Sequence, residues 1–255
     1  MIAFYNGSYK PENEITISPF SAGFQYGCGV FTTLKYKNDK IYFFNEHLQR
    51  VITSAKKIGL SKPDYKIKKI LEKLIKINNL NAYKIKIMLF AEKGTSLLIK
   101  LSSLHLNQKP MTLQSKKINL EPGLIRNHKT FNYLTNFRYL QLAEKSDYTN
   151  FLFVNNKNLL LETPIHNIFL LKNQTFYTPV KTLPILPGII RNNLLAMKKY
   201  ANFTFQEAKI SVTNLSEYKA AFATNSIVGI KPIEKIDNYC FETSNVNLIR
   251  KNLEI

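Results

Sequence analysis

The chain has 255 residues, 45% hydrophobic and 12% aromatic, which excludes a disordered protein and allows one large or two modest domains. Lysine and arginine total 36 against 17 aspartates and glutamates, a net charge of +19 that admits nucleic acid, an anionic membrane or an anionic small molecule as partner. No apolar run approaches the roughly 20 residues of a membrane helix, the first nine residues lack a basic-then-apolar leader, and Cys28, Cys240 and four scattered histidines make neither a disulfide framework nor a zinc pattern, so a cytoplasmic protein without a metal is expected.

In chain order, residues 30–36 read as a strand, 37–40 as a turn and 41–44 as the returning strand. A helix follows, with Asn45 as N-cap, Gly59 as stop, and Leu48, Val51, Ile52, Ala55 and Ile58 on its apolar face. Residues 65–77 form a second amphipathic helix: Ile67, Ile70, Leu71, Leu74 and Ile77 point inward, and Lys66, Lys68, Lys69, Lys73 and Lys76 outward. Residues 83–90 alternate as a strand, with Lys84, Lys86 and Met88 opposite Ile85, Ile87 and Leu89. Residues 97–104 are another strand. Periodicity then fails around Pro110, predicting a linker over 107–116 between a small domain, 1–106, and a larger one, 117–255.

In the second half, strands are expected at 117–120, 151–154, 159–162, 168–171, 175–178 and 220–224, with helices at 132–144 and 189–200. Strands and helices mix in both halves, the pattern of a two-domain α+β (mixed α/β) fold.

Taken singly, the segments that could carry chemistry are weak. Lys129 precedes a helix among aromatic residues and could be desolvated enough to act as a nucleophile, although most lysines here should be solvated surface charges. Glu162 ends an apolar strand, either facing solvent or buried as the partner of a cationic ring nitrogen. LPGIIR (186–191) puts Pro-Gly before a helix whose orphan N–H groups would suit a phosphate, or is an ordinary helix start. TNSIVG (224–229) is a small polar loop, and Arg50 is either a phosphate clamp or a surface charge.

Their order is far more specific. YGCGVFTTLKY (26–36), FNEHLQRV (44–51), HKTFNYL (128–134), ETPIHNIF (162–169), YTP (177–179), LPGIIR and TNSIVGIKPI (224–233) together resemble the fold-type IV pyridoxal-phosphate enzymes: class IV aminotransferases, D-amino acid aminotransferases and 4-amino-4-deoxychorismate lyases. The resemblance implies that Lys129 holds pyridoxal 5′-phosphate as an internal aldimine and moves the proton at the substrate Cα. It implies that Glu162 pairs with the ring nitrogen and Arg50 with the phosphate. The backbone of Ile189 and Ile190, with Asn225 and the Ser226 hydroxyl, would complete the phosphate cup. Tyr26, Phe31, Thr33, Lys35 and Lys86 would face a small anionic amino substrate, although residues of these types on strands are as often plain sheet surface. A homodimer is implied, with no nucleic-acid or membrane partner.

The departures bear on the reaction. Ile190 stands where the family often has Thr, Gly27-Cys28-Gly29 replaces Gly-Asp-Gly, Tyr133 replaces an Arg frequent in lyases, and Lys35 and Lys86 replace arginines. Ammonium groups there would bind carboxylates singly rather than in a bidentate fork. Phe31-Thr32-Thr33 resembles the lyase pattern, where aminotransferases more often have Phe-Glu-Thr or Phe-Glu-Gly, and TNSIVGIKP is also lyase-like. The expectation is therefore a lyase making 4-aminobenzoate and pyruvate from 4-amino-4-deoxychorismate. A D-amino acid or branched-chain aminotransferase is the alternative.

Overall fold

The computed structural model describes residues 1–123, 126–200 and 202–252. They fall into two compact units, Met1–Leu106 with His128–Asn132, and Asn107–Asn127 with Tyr133–Ile255.

The first unit runs β1 (Ile2–Tyr5), β2 (Ser8–Pro11), α1 (Ala22–Gln25), β3 (Gly29–Lys37), β4 (Lys40–Ile41), α2 (Phe44–Lys57), α3 (Ile67–Asn78), β5 (Ala82–Glu92) and β6 (Gly94–Ser103). Its strands form one antiparallel sheet in the order β2-β1-β6-β5-β3-β4. Alternation decides what each face does. Val30, Leu34 and Tyr36 of β3, Ile85, Ile87 and Leu89 of β5, and Leu97, Ile99 and Leu101 of β6 pack with Val51 and Ala55 of α2 and Ile70, Leu71 and Leu74 of α3. The opposite face carries Phe31, Thr33 and Lys35 of β3, cross-strand from Met88, Lys86 and Lys84.

The second unit runs β7 (Met111–Lys117), α4 (Leu134–Ala143), β8 (Asn150–Val154), β9 (Asn167–Lys172), β10 (Thr175–Pro179), α5 (Ile189–Met197), β11 (Lys199–Tyr200), β12 (Phe203–Ala208), β13 (Ala220–Asn225), β14 (Gly229–Ile236), β15 (Tyr239–Cys240) and α6 (Ser244–Asn252). Its mixed sheet has the order β11-β12-β10-β9-β13-β14-β7-β8, with β15 on β14. One face packs Ile168, Leu170, Ala221, Ala223 and Ile233 with Met111, Leu113 and Leu152. The other is aromatic: Phe222 stacks on Phe169 with centroids 4.9 Å apart and meets Phe176 at the same distance.

The structure corrects several expected boundaries. The returning strand at 41–44 shrinks to β4, because Phe43 adopts a left-handed φ of 54° and turns the chain into α2 one residue before Asn45. Ile77 is exposed rather than inward. Much of the expected linker 107–116 is strand β7, an interior strand between β14 and β8 with Met111 and Leu113 buried. The polar residues interleaved in it conceal the alternation, and the strand expected at 117–120 is displaced. Residues 159–162 make isolated bridges, Leu160 with Val154 and Leu159 with Ser211, rather than a strand. The helix expected to reach 200 stops at Met197, where Lys198 takes a φ of 57° and β11 begins. Lys129 groups by its contacts with the first unit, not with the unit expected to carry it.

Candidate active site

In the first unit, residues 129–131 lie against the start of β3. The Phe31 N–H donates to the Lys129 carbonyl and the Phe131 N–H to the Gly29 carbonyl, both at 2.8 Å, and Val30 bridges Thr130. Glycine at 29 permits this: a Cβ there would lie 2.6 Å from Phe131 Cδ2. Phe131 leans on Phe31 and Phe90, with centroids 6.3 and 6.0 Å away. Lys129 Nζ consequently sits 4.6 Å from the Phe31 ring centroid, and Lys86 Nζ 4.4 Å from it, two lysine side chains on one aromatic ring. Burial, then Lys100 and Lys84, lowers the Lys86 pKa; burial, then Lys37 and Lys40, lowers that of Lys35, whose Nζ lies over the Tyr42 ring. Thr33 is half-buried beside Lys86. Tyr26, at the end of α1, is 74% exposed.

Helix α2 backs this segment. His47, Arg50 and Ser54 share a face at helical spacing. The Ser54 hydroxyl meets His128 Nδ1 at 2.9 Å. Arg50 Nη2 donates to Thr32 Oγ1 at 2.8 Å, and Thr32 Oγ1 lies 2.6 Å from Nδ1 of the fully buried His47. Burial, then the charges of Arg50 and Lys129, pushes the His47 pKa down to about 2, so the imidazole is neutral.

In the second unit, the Glu162 backbone is tied to β8 through its carbonyl, which accepts the Phe153 N–H, and its carboxylate is buried. Oε2 accepts from Asn167 Nδ2 at 3.1 Å and from the Leu186 N–H at 3.0 Å; Oε1 is 3.4 Å from Arg126 Nη2. Donors therefore surround it, as an anion requires. Arg126 is braced by Asn136 Oδ1 at 2.9 Å, and Asn136 donates to the Pro164 carbonyl at 2.5 Å. Asn167 also donates to the Leu186 carbonyl at 2.8 Å, fixing the chain just before α5. A Cβ on Gly188, the N-cap of α5, would collide with Asn167 Oδ1.

Ile189 and Ile190 are buried in the first turn of α5, ahead of the Asn192 N–H, which bonds back to Gly188. Arg191 of the same motif serves the fold, its guanidinium buried on the Pro179 carbonyl at 2.7 Å and Glu207 at 2.5 Å. Asn225 Oδ1 accepts the N–H groups of Ile227 and Val228 at 2.9 Å each, so its amide holds the loop that presents the half-buried Ser226. The structure thus brings Lys129, Phe31 and Lys86 together in one unit, with Arg50 on the adjoining helix, and gathers Glu162 and the LPG segment in the other. Sequence reasoning missed His47, Arg126, Asn136 and Asn167, and took Thr32 only as part of a lyase-like triplet, not as the partner of Arg50. Of these, His47 carried a legible signal, being three residues before Arg50 on a helix.

The family model for amino-transferase class IV matches residues 29–236. The chain belongs to that family. It is therefore an enzyme of the class IV aminotransferase and aminodeoxychorismate lyase family, whose substrates are small amino compounds. The aminodeoxychorismate lyase of Bacillus subtilis is 24% identical over 253 residues, covering 92% of this chain and 86% of that protein. The D-alanine aminotransferase of Bacillus licheniformis is equally similar, 24% over 270 residues, covering 100% and 95%. The PLP-bound form of a hypothetical aminotransferase from Mycobacterium tuberculosis superposes with a TM-score of 0.88 at 16% identity, covering 98% of this chain and 95% of the other. The class IV fold, with an antiparallel and a mixed sheet, is thus that of PLP-binding proteins. Among the described residues no helix is long and apolar enough to cross a membrane.

Proposed function

We propose that this class IV enzyme uses pyridoxal 5′-phosphate to convert 4-amino-4-deoxychorismate to 4-aminobenzoate and pyruvate. The observation that carries the reading is the lysine-bearing face of the first sheet. Lys35, Lys84 and Lys86 share that face with Thr33 and Phe31, and the Phe31 ring meets both Lys86 Nζ and Lys129 Nζ. The proposed substrate has two carboxylates, one on the ring and one on the enolpyruvyl group, and a multiply cationic face suits a dianion better than a small amino acid with an apolar side chain. Thr32 in place of the acidic residue of Phe-Glu-Thr supports the same choice.

The side chains fit the cofactor. Glu162 is a buried carboxylate already surrounded by donors, the chemistry a protonated ring nitrogen needs. The first turn of α5 and the Ser226 loop offer N–H and hydroxyl donors for a phosphate, and Arg50 offers a guanidinium held by Thr32. Asn225 would act by shaping the loop. When bound, pyridoxal phosphate supplies an aldehyde and an electron sink for a carbanion beside the substrate amine. Lys129 Nζ would be the residue that holds the cofactor aldehyde and the base for the Cα proton of the substrate. Lys86 and Lys35 hold substrate carboxylates through single ammonium contacts. The bond from the ring to the enol oxygen breaks, and the two products together contain every atom of the substrate. In this reading the enzyme is a cytoplasmic homodimer, and both cysteines are free thiols.

Purified protein supplied with aminodeoxychorismate should release aminobenzoate and pyruvate in equal amounts. The visible band of the bound cofactor should vanish in Lys129→Ala. No aminobenzoate, with steady keto-acid formation from D-alanine, would instead establish the aminotransferase.

A further inference from the structure

The hydroxyl of Thr32 lies between two groups of different kinds. Arg50 Nη2 can only donate, so at 2.8 Å it uses a lone pair of Thr32 Oγ1. At 2.6 Å on the other side is Nδ1 of His47, a side chain with no exposed surface. A neutral imidazole can accept there, which places its own proton on Nε2; that atom is buried with no hydrogen-bond partner among the described residues. In that tautomer the polarity runs one way: guanidinium to hydroxyl to imidazole. Thr32 lies on β3, while His47 and Arg50 are one turn apart on α2, so the three residues join a sheet to the helix that carries the guanidinium.

We infer that Thr32 and His47 are positioning residues that hold the Arg50 guanidinium in place and thereby set the affinity of the enzyme for the phosphate of its cofactor. The inference rests on the reading of Arg50 as a phosphate ligand. It adds the claim that the uncharged Thr32 hydroxyl, backed by the His47 imidazole, helps to fix this guanidinium. A carboxylate in the place of the Thr32 hydroxyl would compete with the phosphate for the same N–H donors; the hydroxyl takes one donor, Nη2, and adds no negative charge.

The test titrates the cofactor-free enzyme with pyridoxal 5′-phosphate, with pyridoxal, which lacks the phosphate, and with inorganic phosphate as competitor. Thr32→Val keeps the shape and removes the hydroxyl. It should weaken pyridoxal 5′-phosphate and inorganic phosphate about tenfold and leave pyridoxal unchanged, and Thr32→Ser should restore the wild-type values. His47→Asn, which keeps an acceptor near the Nδ1 position, should lose less than His47→Leu. Equal losses for pyridoxal and its phosphate, or a Thr32→Val protein that binds phosphate like wild type, would overturn the inference. Arg50→Met separates the two claims. If it retains phosphate affinity, the reading of Arg50 fails; if it loses that affinity while Thr32→Val does not, only the positioning role fails.

Discussion

Acidification from about pH 7.5 to about pH 5 should destabilise each unit by about 2 kcal/mol through one buried histidine. His47 in the first unit has its pKa pushed from 6.5 to about 2, by burial and then by Arg50 and Lys129. His166 in the second is pushed from 6.5 to about 3, by burial and then by Lys231, and its Nδ1 lies 3.1 Å from Thr163 Oγ1. Both folded values are depressed, so the stabilisation is complete above 6.5 and is lost as pH falls, because only the unfolded imidazole takes a proton. Below 6.5 each histidine removes about 1.4 kcal/mol per pH unit until its folded value is reached. At about pH 5 both folded forms are still neutral, and the loss is set by the unfolded value alone. Unfolded carboxyl groups protonate mainly below this window. The chain has no tryptophan and 14 tyrosines, so urea unfolding can be followed by tyrosine fluorescence. His166→Asn should remove the pH dependence of the second unit and leave that of the first. A wild-type unfolding free energy that is flat between the two pH values, or a His166→Asn protein with undiminished dependence, would refute the reasoning.

Gly188→Ala should expel the Asn167 side chain, breaking its bonds to Glu162 and to the Leu186 carbonyl at about 3 kcal/mol of stability, and should weaken cofactor binding; calorimetry and cofactor titration read both. Glu162→Gln removes the carboxylate that faces Arg126 at 3.4 Å, and a buried guanidinium left without its anion should cost about 3 kcal/mol in urea unfolding and lower turnover. Phe20 and Phe24, 84% and 71% exposed and next to exposed Tyr26, should lie in the proposed homodimer contact, so a Phe20→Glu, Phe24→Glu double variant should sediment as a monomer where wild type sediments as a dimer.

Much of this enzyme was legible in its sequence because the signals are local. The alternation of β3 and β5 put Thr33, Lys35 and Lys86 on one face, and the motif order singled out Lys129, Glu162 and Arg50 as candidates. The basic residues at the start of and along α3, Lys66, Lys68, Lys69, Lys73 and Lys76, are all exposed, the solvated helix face that the sequence pattern indicates. What stayed hidden depends on partners far apart in the chain. β7 looked like a linker because its pairing with β14 joins residues more than a hundred positions apart. Asn167 reads as one polar residue at a strand start until Leu186 and Gly188 fold against it. Thr32 reads as one member of a Thr pair until α2 lays His47 and Arg50 on its hydroxyl. Local patterning determines which face a side chain takes, but only tertiary packing decides which donor meets which acceptor, and in this enzyme those meetings hold the candidate catalytic groups.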